Sequence, residues 1–278
     1  DDTWAIRIGE EGRGVSTIIE MVHHTRLDCT TAAVGIMRQS LFQAVHHAQH
    51  RMAFGKTLMQ QPLMQHVLTD LAIEWEASLT MVFRIAEAYD SKDAQQESFA
   101  RLAVAIGKYW TNKRCVPFDG ETMECLGGAG YVEESILPRL YREAPLNGIW
   151  EGSGNVICLD VLRTITKEPE SLQLFMAEIS SSIGKDPRFD HSVQRVQKEL
   201  SAGNGPAESM WKGRWLVETL ALILQGHLLL DHGDSTVAEG FLATRMGSRN
   251  ARAFGGSSTL ESGCHHHILE RVLPGCTQ

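Results

Sequence analysis

The sequence has no long apolar run and no paired cysteine motif. No apolar stretch approaches the roughly 18 residues that a helix needs to span a bilayer. The six cysteines form no CxxC pair and no zinc-finger spacing. A membrane-spanning protein, a disulfide framework and a structural zinc site are therefore not indicated. We expect buried, reduced cysteines in an intracellular protein.

The chain also lacks an excess of positive charge. Its formal net charge is -8, which disfavours strong non-specific attraction to phosphate backbones and gives no sign of a polybasic membrane anchor. The first residues, DDTWAIRIGEEGRG, contain no initiating Met and no opening element of a domain. We therefore expect a fragment of a longer chain, with any targeting signal and the compartment out of view.

The hydrophobic pattern predicts an all-α fold. Residues 1–14 are expected to be a last strand and a joint that precede the bundle. A helix is predicted from about Ser16 to Met52, because apolar residues recur there every seven positions (Leu27, Val34, Leu41, Ala48). At 1.5 Å per residue this helix would be about 55 Å long.

Three more helices are predicted to complete an up-and-down bundle over residues 15–166. Gly55 is interpreted as a helix stop and Pro62 as the first residue of the second helix, which ends near Tyr89. The third runs from about Phe99 to Leu126 and the fourth over 155–165. Residues 167–278 are predicted to be a helical extension, with helices over 171–200 and 206–232 and a Gly- and Ser-rich tail.

Two histidines near the end of the first helix lie one turn apart. His46 and His50 could grip a metal ion, but no acidic or cysteine partner is spaced to complete the site. We expect helix-surface histidines and no metal.

The stretch from Glu124 to Arg163 carries the candidate chemistry. A carboxylate, Glu151, stands between Trp150 and Gly152, downstream of a glycine cluster that includes Gly127 and Gly128. Glycines beside a polar centre let the backbone approach a bulky ligand. The alternative is structural: the glycines could be helix C-caps, and Glu151 a carboxylate favoured by a helix N-terminus.

The strings GGAGY, PRLYRE and IWEGSGN, at these separations, resemble the C-terminal half of the acyl-CoA dehydrogenase family. The segments TRLDC, QPLM, EES and CLDVLR are similar to its AidB branch, which is associated with the adaptive response to DNA alkylation. The resemblance implies the C-terminal helical bundle of that family, bound FAD, an acyl-CoA substrate and a homo-oligomer, with a tetramer expected. Activity is expected of a longer chain rather than of these residues alone.

Glu151 matches the position of the family's catalytic base. The resemblance implies that this carboxylate takes the α-proton of an acyl-CoA thioester while the β-hydrogen leaves as hydride to FAD. Desolvation in a water-poor pocket suits a carboxylate to that task. Some members instead carry the base on the first helix, at a position that is Thr25 here, so Glu151 is the one candidate.

The resemblance also implies a set of FAD contacts. An Arg-x-x-Phe-Gly motif suggests that Arg51 pairs with the pyrophosphate across a subunit interface, where a planar guanidinium suits a diphosphate. Two departures from the family pattern, Glu124 and Asn155, replace glutamines, and a glutamate near a pyrophosphate predicts weaker or rearranged FAD binding. The expected contacts are Arg51, Phe54, Leu58, Gln61, Glu124, Gly127, Gly128, Trp150, Ser153 and Asn155.

A second function class is a DNA-binding flavoprotein with little dehydrogenase activity, as linked with the AidB branch. Arg245, Arg249 and Arg252 are spaced to share one helical face that could contact phosphates. The alternative is a solvated basic face, because residues 166–278 are slightly acidic as a whole.

Overall fold

The structure, a computed structural model, describes residues 2–203, 205–247 and 251–277. It confirms the all-α prediction. Four helices form the bundle: α1 (Gly14–His50), α2 (Pro62–Asp90), α3 (Ala94–Leu126) and α6 (Gly154–Lys167). The connections contain a two-stranded hairpin, β1 (Met52–Ala53) and β2 (Lys56–Thr57), and the short helices α4 (Gly128–Tyr131) and α5 (Leu137–Glu143).

Within the described residues, the second half of the chain adds six helices. They are α7 (Pro169–Ser180), α8 (Pro187–Ser201), α9 (Pro206–Trp211), α10 (Gly213–His232), α11 (Ser235–Phe241) and α12 (His265–Val272), with a π-helical turn at Leu242–Met246. Single 3₁₀ turns lie at Leu58–Gln60 and Leu146–Gly148. None of the described helices is long and apolar enough to cross a membrane.

The three longest helices, α1, α2 and α3, alternate in direction. Ile85 of α2 and Thr30 of α1 meet at Gly107 of α3, where an added Cβ would lie 2.8 Å from Ile85 Cδ1. Further along, the Cys115 thiol of α3 faces the Ala33 carbonyl of α1 at 3.5 Å. The contacts therefore advance in the same direction along α1 and α3, so these two helices are parallel and α2 runs against both.

The periodicity places α1 within two residues of its predicted bounds, and Val34, Leu41 and Ala48 are buried. Pro62 opens α2 as predicted. The interpretation of Gly55 as a helix stop is wrong, because α1 ends at His50. Gly55, with φ of +80°, instead turns the β1–β2 hairpin.

Two further expectations, one for residues 2–13 and one for residues 171–200, are also corrected. Residues 2–13 form no strand and leave Trp4 and Ile8 exposed, as a strand without a sheet must. The helix predicted over 171–200 is broken between α7 and α8, where Asp186 caps α8 by accepting hydrogen bonds from the amides of Arg188 and Phe189. A period-based prediction misses this break because the apolar face continues on both sides of it.

The extension packs against the bundle through its apolar residues. Phe241, Ile268 and Leu269 are buried, although they belong to the segment predicted as a Gly- and Ser-rich tail. The indole of Trp110 in α3 donates to Gln225 Oε1 in α10 at 3.0 Å. All six cysteines are free, five of them buried and Cys264 half-buried, which confirms the expectation of buried thiols for five of them.

Candidate active site

Glu151 lies in the loop between the 3₁₀ turn at Leu146–Gly148 and the start of α6. Its φ is +57°, in the left-handed region that non-glycine residues rarely adopt, and the next residue, Gly152, has φ of +109°. An added Cβ at Gly152 would lie 3.0 Å from Ile157 Cδ1. Glycine is thus required at 152 by conformation and by space, and it fixes how the chain leaves Glu151.

Two cationic side chains hold the backbone on and around Glu151. Lys108 Nζ donates to the carbonyls of Trp150 at 2.7 Å and of Gly152 at 2.5 Å. Arg26 Nε donates to the carbonyl of Glu151 itself at 3.3 Å. Three consecutive carbonyls therefore accept from α1 and α3, and the half-buried Glu151 side chain makes none of these contacts.

Arg26 is itself held by a half-buried carboxylate on α6. Its guanidinium donates to Asp160 Oδ2 at 2.6 Å, and Arg101 of α3 donates to both oxygens of Asp160 at 3.2 and 3.0 Å. Burial alone would raise the pKa of Asp160, but the hydrogen bonds and charges of Arg101 and Arg26 hold it below its usual value. Asp160 thus stays ionised between two arginines.

Burial perturbs the other ionisable groups around this loop. It lowers the pKa of Lys108 to about 8 and raises that of Cys29, which lies on α1 close to Lys108 and Trp150. It also lowers the pKa of His23 to about 4, with the charges of Arg101 and Arg26 adding to the shift. Burial is therefore marked on the side of this loop that faces α1 and α3, whereas Trp150 and Ser153 on the loop itself are exposed.

The other predicted residues beside Glu151 have varied roles. The Trp150 indole donates to Asn147 Oδ1 at 3.0 Å, and Asn155 Oδ1 accepts from Arg214 Nε of α10 at 2.8 Å. Ser153 precedes the first residue of α6 and is exposed, and its hydroxyl makes no capping hydrogen bond. Of these side chains, the Ser153 hydroxyl is the one left open to a ligand.

A second group of predicted contacts surrounds the hairpin after α1. Arg51 is exposed, and within the described residues its guanidinium has no recorded partner. Phe54 is 98% exposed and has φ of +52°. Leu58 packs half-buried against the core, and Gln61 Nε2 donates to the Ala53 carbonyl at 3.1 Å. This end of α1 presents a free cation and an exposed ring.

The third group lies where α3 ends. Glu124, Gly127 and Gly128 are exposed, and an added Cβ at either glycine would meet nothing within 4 Å. Gly127 has φ of +61° and is needed for the turn. Gly130 is different, because its Cβ would lie 2.3 Å from the Met123 carbonyl oxygen. Open backbone at Gly128 is consistent with a ligand that approaches closely.

These groups lie at two separate places in one protomer. The Glu151 loop meets α1 at Arg26, whereas Arg51 lies 25 residues further along, which corresponds to about 37 Å of helix. Because α1 and α3 are parallel, the glycines after α3 lie toward the Arg51 end. The structure therefore brings Trp150, Glu151, Ser153 and Asn155 together and places Arg51 and its neighbours far away.

Sequence reasoning missed the residues that hold the loop. Lys108, Arg101 and Asp160 received no role, although Lys108 interrupts the apolar run AVAIGKYW, and a lone cation on a buried helix face is a usable signal. Thr25, at the alternative base position, donates its hydroxyl to the Val22 carbonyl at 3.2 Å.

The predicted arginine face in the extension is wrong for Arg245. This side chain points inward and pairs with Asp70 at 2.7 Å and Glu74 at 2.9 Å. The helical turn ends at Met246, so the spacing does not continue to Arg252, which is exposed in a bend; Arg249 lies outside the described residues. Arg114 also pairs with Glu74, and this buried network holds the extension on α2 and α3.

Among the described residues, no cluster of three or more His, Cys, Asp or Glu side chains could hold a metal ion. His50 Nδ1 lies 2.8 Å from the His46 carbonyl oxygen, one turn back on α1.

The long-helix bundle and the loop that carries Glu151 correspond to a known family. Residues 12–166 match the family model of the acyl-CoA dehydrogenase C-terminal domain, and the chain belongs to that family.

Individual relatives extend the match beyond residue 166. The chain is 40% identical to AidB of Escherichia coli (strain K12) over 243 residues, 87% of this chain and 44% of AidB. That is more than residues 12–166 can hold, so the similarity continues into the extension. A solved structure of Caenorhabditis elegans ACDH-11 in complex with C11-CoA has a TM-score of 0.74 at 30% identity, covering 85% of this chain and 44% of that one.

A third match supports the fold alone. The acyl-CoA dehydrogenase from Bacillus anthracis, complexed with FAD, has a TM-score of 0.66 at 15% identity over 96% of this chain and 52% of that one. The chain therefore spans about half the length of the relatives it matches.

Proposed function

We propose that this chain is the C-terminal part of an FAD-dependent acyl-CoA dehydrogenase-like oxidoreductase of the AidB branch. The observation that carries the proposal is Glu151. The Glu151 residue has a left-handed backbone conformation. Arg26 donates to its main-chain carbonyl, and Lys108 donates to the carbonyls of the two neighbouring residues. The ACDH-11 relative, solved with C11-CoA, supports an acyl-CoA thioester as the substrate class.

Bound FAD would supply the acceptor for the hydride that leaves the β-carbon. Glu151 would take the α-proton on its carboxylate as a general base. Lys108 and Arg26 hold the loop that presents this carboxylate. Arg51 would pair with the pyrophosphate of FAD, and the open backbone at Gly127 and Gly128 would let its adenosine portion approach. Those residues fit the cofactor, since a partnerless guanidinium suits a diphosphate.

We further propose that the protein works as a homo-oligomer, with a tetramer expected. About 37 Å of α1 separates Arg51 from the level of Glu151, a distance that argues against both residues of one protomer holding the same cofactor. Three large apolar side chains near Arg51, namely Met52, Phe54 and Leu63, are exposed. Their exposure supports a second subunit at this end of α1.

The absorption spectrum of the longest natural chain tests this function. We expect a bound flavin whose visible band bleaches when an acyl-CoA is added without oxygen. Glu151→Gln should retain FAD but slow the bleaching at least about 1,000-fold, because an amide keeps the size of the side chain and cannot take a proton. Glu134→Gln, the same change at an exposed carboxylate before α5, is the control and should bleach as the parent does.

A parent protein that holds no flavin, or a Glu151→Gln variant reduced within threefold of the parent rate, would contradict the proposal. The alternative, an AidB-like flavoprotein that binds DNA with little dehydrogenase activity, has lost Arg245 as a phosphate contact. Duplex binding of sub-micromolar affinity at physiological salt, in a protein whose flavin does not bleach, would favour that alternative.

A further inference from the structure

Glu151 is one of two non-glycine residues with positive φ in the described ranges. A non-glycine residue in this conformation costs on the order of 1 to 3 kcal/mol and persists only where its surroundings hold it. The carboxylate itself is not what holds it, because Glu151 contributes its main-chain carbonyl to the contacts of the loop. The restraint therefore comes from groups that bind the backbone.

Lys108 is the residue best placed to supply this restraint. Its ammonium donates to the carbonyls of Trp150 at 2.7 Å and of Gly152 at 2.5 Å. The first carbonyl lies in the peptide plane that precedes Glu151 and the second in the plane that follows Gly152, so Lys108 ties together the two ends of the Glu151–Gly152 segment. Arg26 reaches the carbonyl of Glu151 at a longer 3.3 Å and is already bound to Asp160. Losing Lys108 would free both flanking carbonyls at once.

The burial of Lys108 shows that this contact is costly to maintain. The side chain is 2% exposed, and its neighbours on α3 are Gly107 and Tyr109. Burying an ammonium is unfavourable unless hydrogen bonds replace its lost hydration. An apolar residue of the same length would fill the space without that cost, so packing alone does not require a lysine here.

We propose that Lys108 is a positioning residue that sets the direction of the Glu151 carboxylate by holding the carbonyls of Trp150 and Gly152. This inference rests on the proposed role of Glu151 as the base. A base must lie within hydrogen-bond reach of the proton it takes, and a displacement of about 1 Å can cost roughly 100-fold in rate.

The test uses the longest natural chain in its FAD-bound form, with Lys108→Met as the variant. Methionine is one atom shorter than lysine, has nearly the same volume and donates no hydrogen bond. We expect flavin reduction at saturating acyl-CoA to slow about 100-fold, with FAD retention and the concentration of acyl-CoA for half-saturation within threefold of the parent. Lys92→Met, an exposed lysine just before α3, is the control and should reduce at the parent rate.

A cavity beside Lys108 allows a rescue experiment. Lys108 lines a space of about 430 Å³ between α3 and the Glu151 loop, together with Asn112, Lys113 and Ile149. In Lys108→Ala, ethylammonium added to the buffer can reach the vacated position through this cavity. We expect ethylammonium to raise the rate of flavin reduction in Lys108→Ala at least about tenfold. The rate in Glu151→Gln should not change when ethylammonium is added.

Three outcomes would overturn the proposal: reduction of Lys108→Met within threefold of the parent rate, loss of folding or FAD in both Lys108 variants, or absence of rescue by ethylammonium. Amide hydrogen exchange over residues 149–154 separates this proposal from the proposed function. Exchange at least about tenfold faster in Lys108→Met than in Lys92→Met supports the positioning role. If the parent flavin is not reduced by any acyl-CoA while this difference is seen, only the proposed function has failed.

Discussion

Two non-glycine residues with positive φ lie near the two ends of α1, one held by other helices and the other exposed. Near its N-terminal half, Glu151 has φ of +57° and is held by Lys108 and Arg26; after its C-terminal end, Phe54 has φ of +52° and is 98% exposed. Strained residues persist where structure over-determines them. Side chains from α1 and α3 hold the first region, whereas the main-chain pairing of the β1–β2 hairpin holds the second and leaves the Phe54 ring exposed.

The contrast separates two parts of the proposed site. The proposed base is positioned by interactions within one protomer, through contacts that join α1, α3 and α6. The residues proposed for the cofactor, Arg51 and Phe54, face outward. Substitutions that break the contacts at the first end should therefore destabilise the chain, while substitutions at the second should weaken cofactor binding without destabilising it.

The largest effect on stability is expected for Asp160→Ala. Removing this carboxylate takes away the ion-pair partner of the buried Arg26 and one of the two carboxylates that pair with the half-buried Arg101, which costs about 3 kcal/mol of unfolding free energy. Chemical denaturation measures the loss. The control is Glu133→Ala, which breaks an exposed carboxylate–arginine pair and should leave the unfolding midpoint unchanged. Equal midpoints for the two variants would show that the Glu151 end is not held as described.

The next effect is on cofactor retention at the other end. Arg51→Ala should lower FAD affinity at least about tenfold, whereas Arg51→Lys should lose less because the charge remains. Both variants should unfold at the parent midpoint, since Arg51 is exposed. Gel filtration followed by the flavin absorbance compares the three proteins. Equal retention by all three would place the pyrophosphate elsewhere.

A smaller effect is expected for Phe54→Gly. Glycine adopts positive φ without strain, so this change should stabilise the chain by up to about 1 kcal/mol while weakening FAD retention. The matched change at the other non-glycine residue with positive φ among the described residues, Glu151→Gly, should stabilise the chain less, because Lys108 and Arg26 already hold the Glu151 backbone. A loss of stability in Phe54→Gly would mean that the ring has a partner within the chain.

The last effect concerns pH and the Glu151 end alone. Burial and the charges of Arg101 and Arg26 lower the pKa of His23 from 6.5 to about 4. Between these values the unfolded chain binds more protons than the folded one, so stability should fall as pH falls from 6.5 to about 4. His23→Gln should flatten this slope in denaturation curves at several pH values. An unchanged slope would exclude His23 as its source.

Part of this architecture was predictable from the sequence. The seven-residue period placed α1 within two residues, and Pro62 marked the start of α2, because both signals are local. The identity of the Glu151 loop came from its motif. The break before Asp186 was missed, because the apolar period continues across it and the capping carboxylate was not weighed.

The rest depended on contacts between distant residues. Lys108 meets its carbonyls 42 and 44 positions away, and Arg245 meets Asp70 from 175 positions away. Spacing along a helix gives the side on which a side chain lies, but it does not identify the partner helix. Arg245 was therefore interpreted as a surface residue, although α2 supplies two carboxylates for it.

The length of α1 has a consequence for mixed oligomers. If the Glu151 loop of one protomer and Arg51 of its neighbour share a flavin, two-fold symmetry makes the sites occur in pairs, each with contributions from both chains. Arg51→Ala and Glu151→Gln protomers, each impaired as a homodimer, would then form a heterodimer in which one site has both original residues and the other has neither. When the two impaired proteins are mixed and their subunits exchange, each heterodimer should have up to about half of the activity of a parent dimer.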